Sequence, residues 1–200
     1  MSECGCEPIP AETAQQRRTF TIALGLNAAM FAVELITGII GSSMGLIAEG
    51  LDNLTDAAAY GIAMMAIGGS PMFKVRAASA SGSALLLLGI GVLIEVGRRA
   101  LYGEAPEGLL MVIVAALSLA VNGTVLWMLS KYRDGDVHLR ATWTFTRADV
   151  IANLALIVSG LIVLWTGFRF VDLIVGAGIG LYVIKEAVEI LGDARKAGTA

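Results

Sequence analysis

Six apolar stretches run through the chain, at about 19–40, 46–69, 76–96, 108–129, 141–165 and 171–191, with polar residues gathered between them. A bilayer core about 30 Å thick takes about 20 residues of helix at about 1.5 Å each, so each stretch predicts one transmembrane helix. The expected connections are a tight Gly41-Ser42-Ser43 turn, a short loop over 70–75 holding Pro71 and Lys74, and a loop with Glu104, Pro106 and Glu107. The longest polar connection, KYRDGDVHLR, covers 131–140. This pattern divides the chain into a polar tail over 1–18, a six-helix domain over 19–193 and a short tail over 194–200. The expected fold is all-α: a polytopic membrane protein of six transmembrane helices.

The polar positions inside these stretches break the pattern most informatively. The second stretch carries Glu49, Asp52 and Asp56, which stand at i, i+3 and i+7 on a helix with Asn53 among them, so four oxygen-bearing side chains are expected to share a face. An ionised Asp at the bilayer centre costs about 2.5–3.5 kcal/mol, and two acids at i, i+4 also repel each other, so this face needs a proton, a partner or a cation. The fifth stretch carries Arg147, Asp149 and Asn153. Asn27 and Glu34 in the first, Glu95 in the third and Asn122 in the fourth suit interhelical hydrogen bonds, and Gly176 and Gly180 have the GxxxG spacing of close helix packing.

Composition supports the membrane reading. The chain has 200 residues, 56% of them hydrophobic and only 16% charged, against about 25% charged in soluble domains; its mean hydropathy is +0.77. The net charge of −3, from 14 basic and 17 acidic residues, includes no basic cluster that would track phosphates, which argues against a nucleic-acid partner. The apolar run near Phe20 lacks a short core followed by a cleavage site, so no removable signal peptide is expected. Cys4 and Cys6 stand too close for an ordinary structural disulfide and point to metal capture or redox chemistry. His138, with Asp134 and Asp136, offers a possible entry site in the long connection.

Lys and Arg at the helix ends set the expected orientation. Nine lie on the side of the N-terminal tail, the second and fourth connections and the C-terminus, and three on the other side. By the positive-inside rule both termini are cytoplasmic. Asp56 then falls about 15 Å below the outer end of the second helix and Asp149 about 12 Å above the inner end of the fifth, so both reach the mid-bilayer and are expected to face each other around one ion.

The run GSSMGLIAEGLDNLTDAAAYGIA resembles the second-helix signature of the cation diffusion facilitator (CDF) family, and ATWTFTRADVIANLALIVSG resembles its fifth-helix signature. Asn27, Glu34, Glu95, Asn122 and Asp172 add further matches, and the resemblance covers about residues 19–193. It implies a CDF-type bundle, usually a homodimer, that exports a divalent metal ion from the cytoplasm across the plasma (inner) membrane in exchange for protons, with no cofactor. It also implies Asp52, Asp56 and Asp149 as metal ligands. Phe145 stands where the family commonly has a fourth ligand, which leaves Glu49, Asn53 or Asn153 to supply an additional oxygen. The chain stops soon after the sixth helix, like short members without the usual cytoplasmic C-terminal domain.

A site of carboxylates and an amide, without His or Cys, suits Mn²⁺ or Fe²⁺ and also accepts Zn²⁺ or Co²⁺. Structural alternatives are a buried acid network protonated or paired with Arg147, and a simple Arg147–Asp149 salt bridge. Functional alternatives are a non-transporting metal sensor or partner subunit, and an intramembrane lipid headgroup transferase. The last lacks the Asp-Gly-x-x-Ala-Arg segment that such enzymes need. The expectation is therefore a transporter and not an enzyme.

Overall fold

The computed structural model describes residues 11–66, 71–103, 105–130 and 137–199. These form six helices and no strand: α1 (Ala11–Ile40), α2 (Met44–Ala66), α3 (Pro71–Tyr102), α4 (Gly108–Leu129), α5 (Val137–Thr166) and α6 (Phe170–Thr199). Several helices are longer than their apolar stretches. Residues 11–18, expected in the polar tail, belong to α1; α3 starts at Pro71 and absorbs most of the expected 70–75 loop; α5 takes up 137–140; and α6 continues to Thr199. Hydropathy marks only the lipid-facing length, whereas backbone hydrogen bonding continues wherever propensity allows, and a proline is pre-organised for the first helical position.

α2 is the axis of the bundle, in contact with all five other helices. It runs antiparallel to α1, since Gly38 of α1 meets Ile47 and Gly50 of α2 meets Leu35 toward one end, and Gly61 of α2 meets Leu24 toward the other. α2 runs parallel to α6, whose first turns pack on Met44 and Gly45. The principal core joins Leu46, Ala48 and Leu51 of α2 to Met111, Val114 and Ala115 of α4, Leu156 and Val163 of α5, and Leu173 and Ile179 of α6.

α1, α3, α4 and α5 contain segments long and apolar enough to cross a membrane by length and composition alone. α2 and α6 differ because every 18-residue stretch of either carries at least three charged residues, Glu49, Asp52 and Asp56 in α2 and Asp172, Lys185 and Glu186 among those of α6. The outward faces are apolar, among them Leu87, Ile94, Ile113 and Ile174, as lipid contact requires. Exposed Tyr102, Trp165, Phe168 and Phe170 gather at one end of the bundle, where amphipathic rings suit the bilayer interface.

At that same end the connections are tied to one another. Glu107 N–H donates to the Gly41 carbonyl at 2.9 Å, and Arg169 donates to the Ala100 carbonyl at 3.1 Å. The tight turn into α2 places Ser42 at φ 52°, a left-handed backbone rarely taken by a residue with a side chain.

Gly176 and Gly180 pack closely, but on different helices. A Cβ at Gly176 would lie 2.7–2.9 Å from the backbone of Met44 and Gly45 in α2, whereas one at Gly180 would meet Val92 of α3. The backbone at Gly176 cannot yield as a side-chain tip would. Gly176→Ala should therefore force α6 from α2 and lower the detergent-solubilised protein's thermal stability by about 1–3 kcal/mol, whereas Gly178→Ala, with nothing within 4 Å, should be close to neutral. Equal melting temperatures for the two variants would contradict this packing.

Candidate metal site

Asp172 fixes the start of α2. Its Oδ1 accepts from Ser43 Oγ at 2.6 Å and from Gly45 N–H at 3.0 Å, and its Oδ2 accepts from Met44 N–H at 2.7 Å. Ser43 Oγ in turn accepts from Leu46 N–H at 3.1 Å. One buried carboxylate thus satisfies N–H groups that a helix start leaves without partners, and its charge suits the positive end of the helix dipole. The clamp sets the register of α2 against α6, and Asp52 follows about 12 Å below Met44.

There the carboxyl groups of α2 and α5 meet. Asp149 of α5 lies within hydrogen-bonding reach of both Asp52 and Asp56. Asp52 and Asp149 are buried and Asp56 is half-buried. One turn further along, Tyr60 Oη and Thr146 Oγ1 approach to 3.3 Å and join the same two helices below the acids. Above them, Asn153 Nδ2 donates to Glu49 Oε1 at 2.6 Å and to its own helix's Asp149 carbonyl at 2.9 Å.

Glu49 is fully enclosed by neighbouring helices, with 0% exposure. Asn53 departs from expectation. It turns to α1, where its Nδ2 donates to Glu34 Oε2 at 2.6 Å, because consecutive residues on a helix point about 100° apart. Of the expected oxygen donors, the structure thus gathers Asp52, Asp56 and Asp149, places Glu49 and Asn153 one layer above, and sends Asn53 to a neighbouring network with Glu34.

The electrostatics of this interior are one-sided. Glu34, Glu49, Asp52, Asp149 and Glu186 are all buried, while among the described residues no Lys or Arg is. Arg147, weighed as a counter-charge for the acids, has an exposed side chain. Glu49 Oε2, Asp56 Oδ2, Asp149 Oδ2 and Asn153 Oδ1 have no hydrogen-bond partner in the protein. Buried oxygens without donors are costly. Among the described residues no three His, Cys, Asp or Glu side chains form a finished metal cage; the acids make an open array along α2 and α5.

Cys4 and Cys6 lie outside the described residues, as do the side chains of His138 and Phe145. Glu186 was not foreseen. It is 6% exposed on α6 and its charge acts on both Asp52 and Asp56. The signal was its spacing: fourteen residues, about four turns, separate it from Asp172, so both occupy the α6 face that meets α2.

Residues 20–197 match the cation efflux transmembrane domain family. The chain belongs to that family. Its members are transporters rather than enzymes, and the CDF resemblance of the α2 and α5 segments agrees with the match. The metal cation efflux system protein CzcD of Cupriavidus metallidurans is 28% identical over 179 residues, covering 84% of this chain and 57% of the relative. The zinc transporter ZitB of Escherichia coli is 26% identical over 189 residues, covering 88% of this chain and 60% of the relative. A cadmium, cobalt and zinc/H(+)-K(+) antiporter of Bacillus velezensis is 20% identical over 177 residues, covering 80% and 56%. The chain spans less than two thirds of the length of these relatives.

Proposed function

We propose that this cation efflux family member carries a divalent metal ion out of the cytoplasm in exchange for protons, with Asp52, Asp56 and Asp149 holding the ion and Glu49 or Asn153 completing its oxygen shell. The observation that carries this reading is the buried carboxyl array shared by α2 and α5, with donor-free oxygens and, among the described residues, no buried Lys or Arg. A divalent cation balances such an array; when it leaves, protons must take its place, because an empty ionised cluster in a bilayer is costly. Exchange of metal for protons is then a consequence of the site's charge. Alternating access follows if α2 and α5 move so that the array opens to one side at a time.

Zn²⁺ is the first cargo to test. It accepts carboxylate ligands, and the relatives include a zinc transporter and an antiporter named for cadmium, cobalt and zinc. Mn²⁺ and Fe²⁺ also suit oxygen ligands. The orientation proposed from positive charges puts both termini in the cytoplasm.

The test is metal uptake into inside-out proteoliposomes carrying a pH gradient, with Zn²⁺, Co²⁺, Mn²⁺ and Fe²⁺ measured side by side. Zn²⁺ accumulation coupled to proton movement is expected. Absence of flux for all four ions, from protein shown to be folded, would contradict the transporter and favour a metal sensor or a partner subunit.

A further inference from the structure

Beyond the Asp52–Asp149 contact, toward the C-terminal ends of the parallel helices α2 and α6, a cleft of about 130 Å³ opens between them. Its volume has room for an ion with several waters, at about 30 Å³ each. Asp56 of α2 and Glu186, Glu189 and Asp193 of α6 line it.

These acids divide into two pairs. Glu189 and Asp193 sit at the rim with exposed side chains, and each has a lysine partner, Lys185 at 3.5 Å and Lys196 at 3.0 Å. Their roles are accounted for by those surface ion pairs. Glu186 and Asp56 lie deeper. The Tyr182 hydroxyl, one turn back on α6, lies near the Glu186 carboxylate, but Glu186 Oε1 and Asp56 Oδ2 have no hydrogen-bond partner in the protein. Glu186 is more than nine-tenths buried, and Lys185, whose charge acts on it, is exposed and paired with Glu189; a buried carboxylate with an open oxygen is expensive unless something positive comes to it.

We propose that this cleft is a second divalent-cation site, in which Glu186 and Asp56 hold a partly hydrated metal ion between bulk water and the α2–α5 carboxylates. The proposal rests on the transport reading for its purpose, though not for its geometry. Two carboxylates from different helices can bind a divalent ion while several of its waters remain, which is how such ions engage sites that are not full cages. Asp56 belongs to both sites, since it lines the cleft and also lies within reach of Asp149. An ion can therefore change partners from Glu186 to Asp149 without leaving Asp56, and it sheds water in steps rather than at once.

Equilibrium dialysis of the purified full-length protein in micelles against Zn²⁺ tests this directly, using wild type, Asp149→Asn and the double variant Asp149→Asn/Glu186→Gln. Asp149→Asn should retain one weaker Zn²⁺ in the cleft, and adding Glu186→Gln should lower that remaining affinity at least tenfold. Glu186→Asp, in place of the Gln change, should lower it about threefold by drawing the carboxylate back from Asp56, and it serves if the Gln variant does not fold. Equal Zn²⁺ affinity with and without the Glu186 change would overturn the proposal, as would loss of all Zn²⁺ binding in Asp149→Asn alone. Flux by the wild-type protein reads the transport proposal separately: a protein that binds Zn²⁺ in the cleft but moves no metal leaves this site standing and removes its assigned purpose.

Discussion

Asp149→Ala should abolish metal flux while leaving a folded protein that inserts into membranes. Asp149 is the α5 carboxylate that faces both α2 acids, and its Oδ2 accepts no hydrogen bond from the protein. Removing one charged partner from a buried set typically costs about 2–5 kcal/mol of binding, or a loss of about 30-fold or more in affinity. The same change should not destabilise the metal-free protein. It removes one of several acids that repel one another in the interior, and its Oδ2 holds no protein donor that the change would strand. Transport by proteoliposomes and thermal unfolding without metal read the two effects separately. Full retained flux would remove Asp149 from the site; a large fall in metal-free stability would make it a structural carboxylate.

Asp172→Ala should do the reverse, and with the largest effect on stability. Asp172 is 1% exposed and receives the Ser43 hydroxyl and the Met44 and Gly45 N–H groups. Each buried donor left without a partner costs about 1–3 kcal/mol, so the variant should lose about 3 kcal/mol or more and its α2–α6 register. Asp172→Asn keeps one acceptor oxygen and should recover part of the loss. Melting of the two variants in detergent, beside wild type, checks this order, and an unchanged melting temperature for Asp172→Ala would contradict the clamp.

The contrast between these two aspartates marks how far the sequence could be read. The six helices were legible because lipid demands long apolar segments, and the importance of α2 because Glu49, Asp52 and Asp56 interrupt one. The meeting of Asp149 with Asp52 and Asp56 followed from depth alone, since the expected orientation placed both sets near the bilayer middle. Helix ends were less legible: residues 11–18 and 137–140, expected in a polar tail and a polar connection, are helical, and polarity does not report backbone hydrogen bonds.

Side-chain direction was the other loss. Asn53 looked like a member of the Asp52–Asp56 face, yet a single residue step turns it to Glu34 of α1. Neighbouring helices cover Glu49 completely, which its position in the sequence does not reveal. Glu186 was hidden at the end of the sixth apolar stretch, in VIKEAVEI, where Lys185 and Glu189 are exposed and Glu186 is not. Only the α6 face shared with Asp172 and Gly176 distinguishes it, and that face becomes visible once α2 is known to pack there.

The central claim is that the transported ion sits among the carboxylates between α2 and α5. X-ray absorption spectroscopy of the full-length protein loaded with one equivalent of Zn²⁺ tests it most directly, beside the same measurement on Asp149→Ala. The account predicts a first shell of oxygen ligands at about 2.0–2.2 Å, and loss of that bound Zn²⁺ or a change in its shell in the variant. A shell containing sulfur at about 2.3 Å, unchanged in Asp149→Ala, would place the ion at Cys4 and Cys6 and contradict the account.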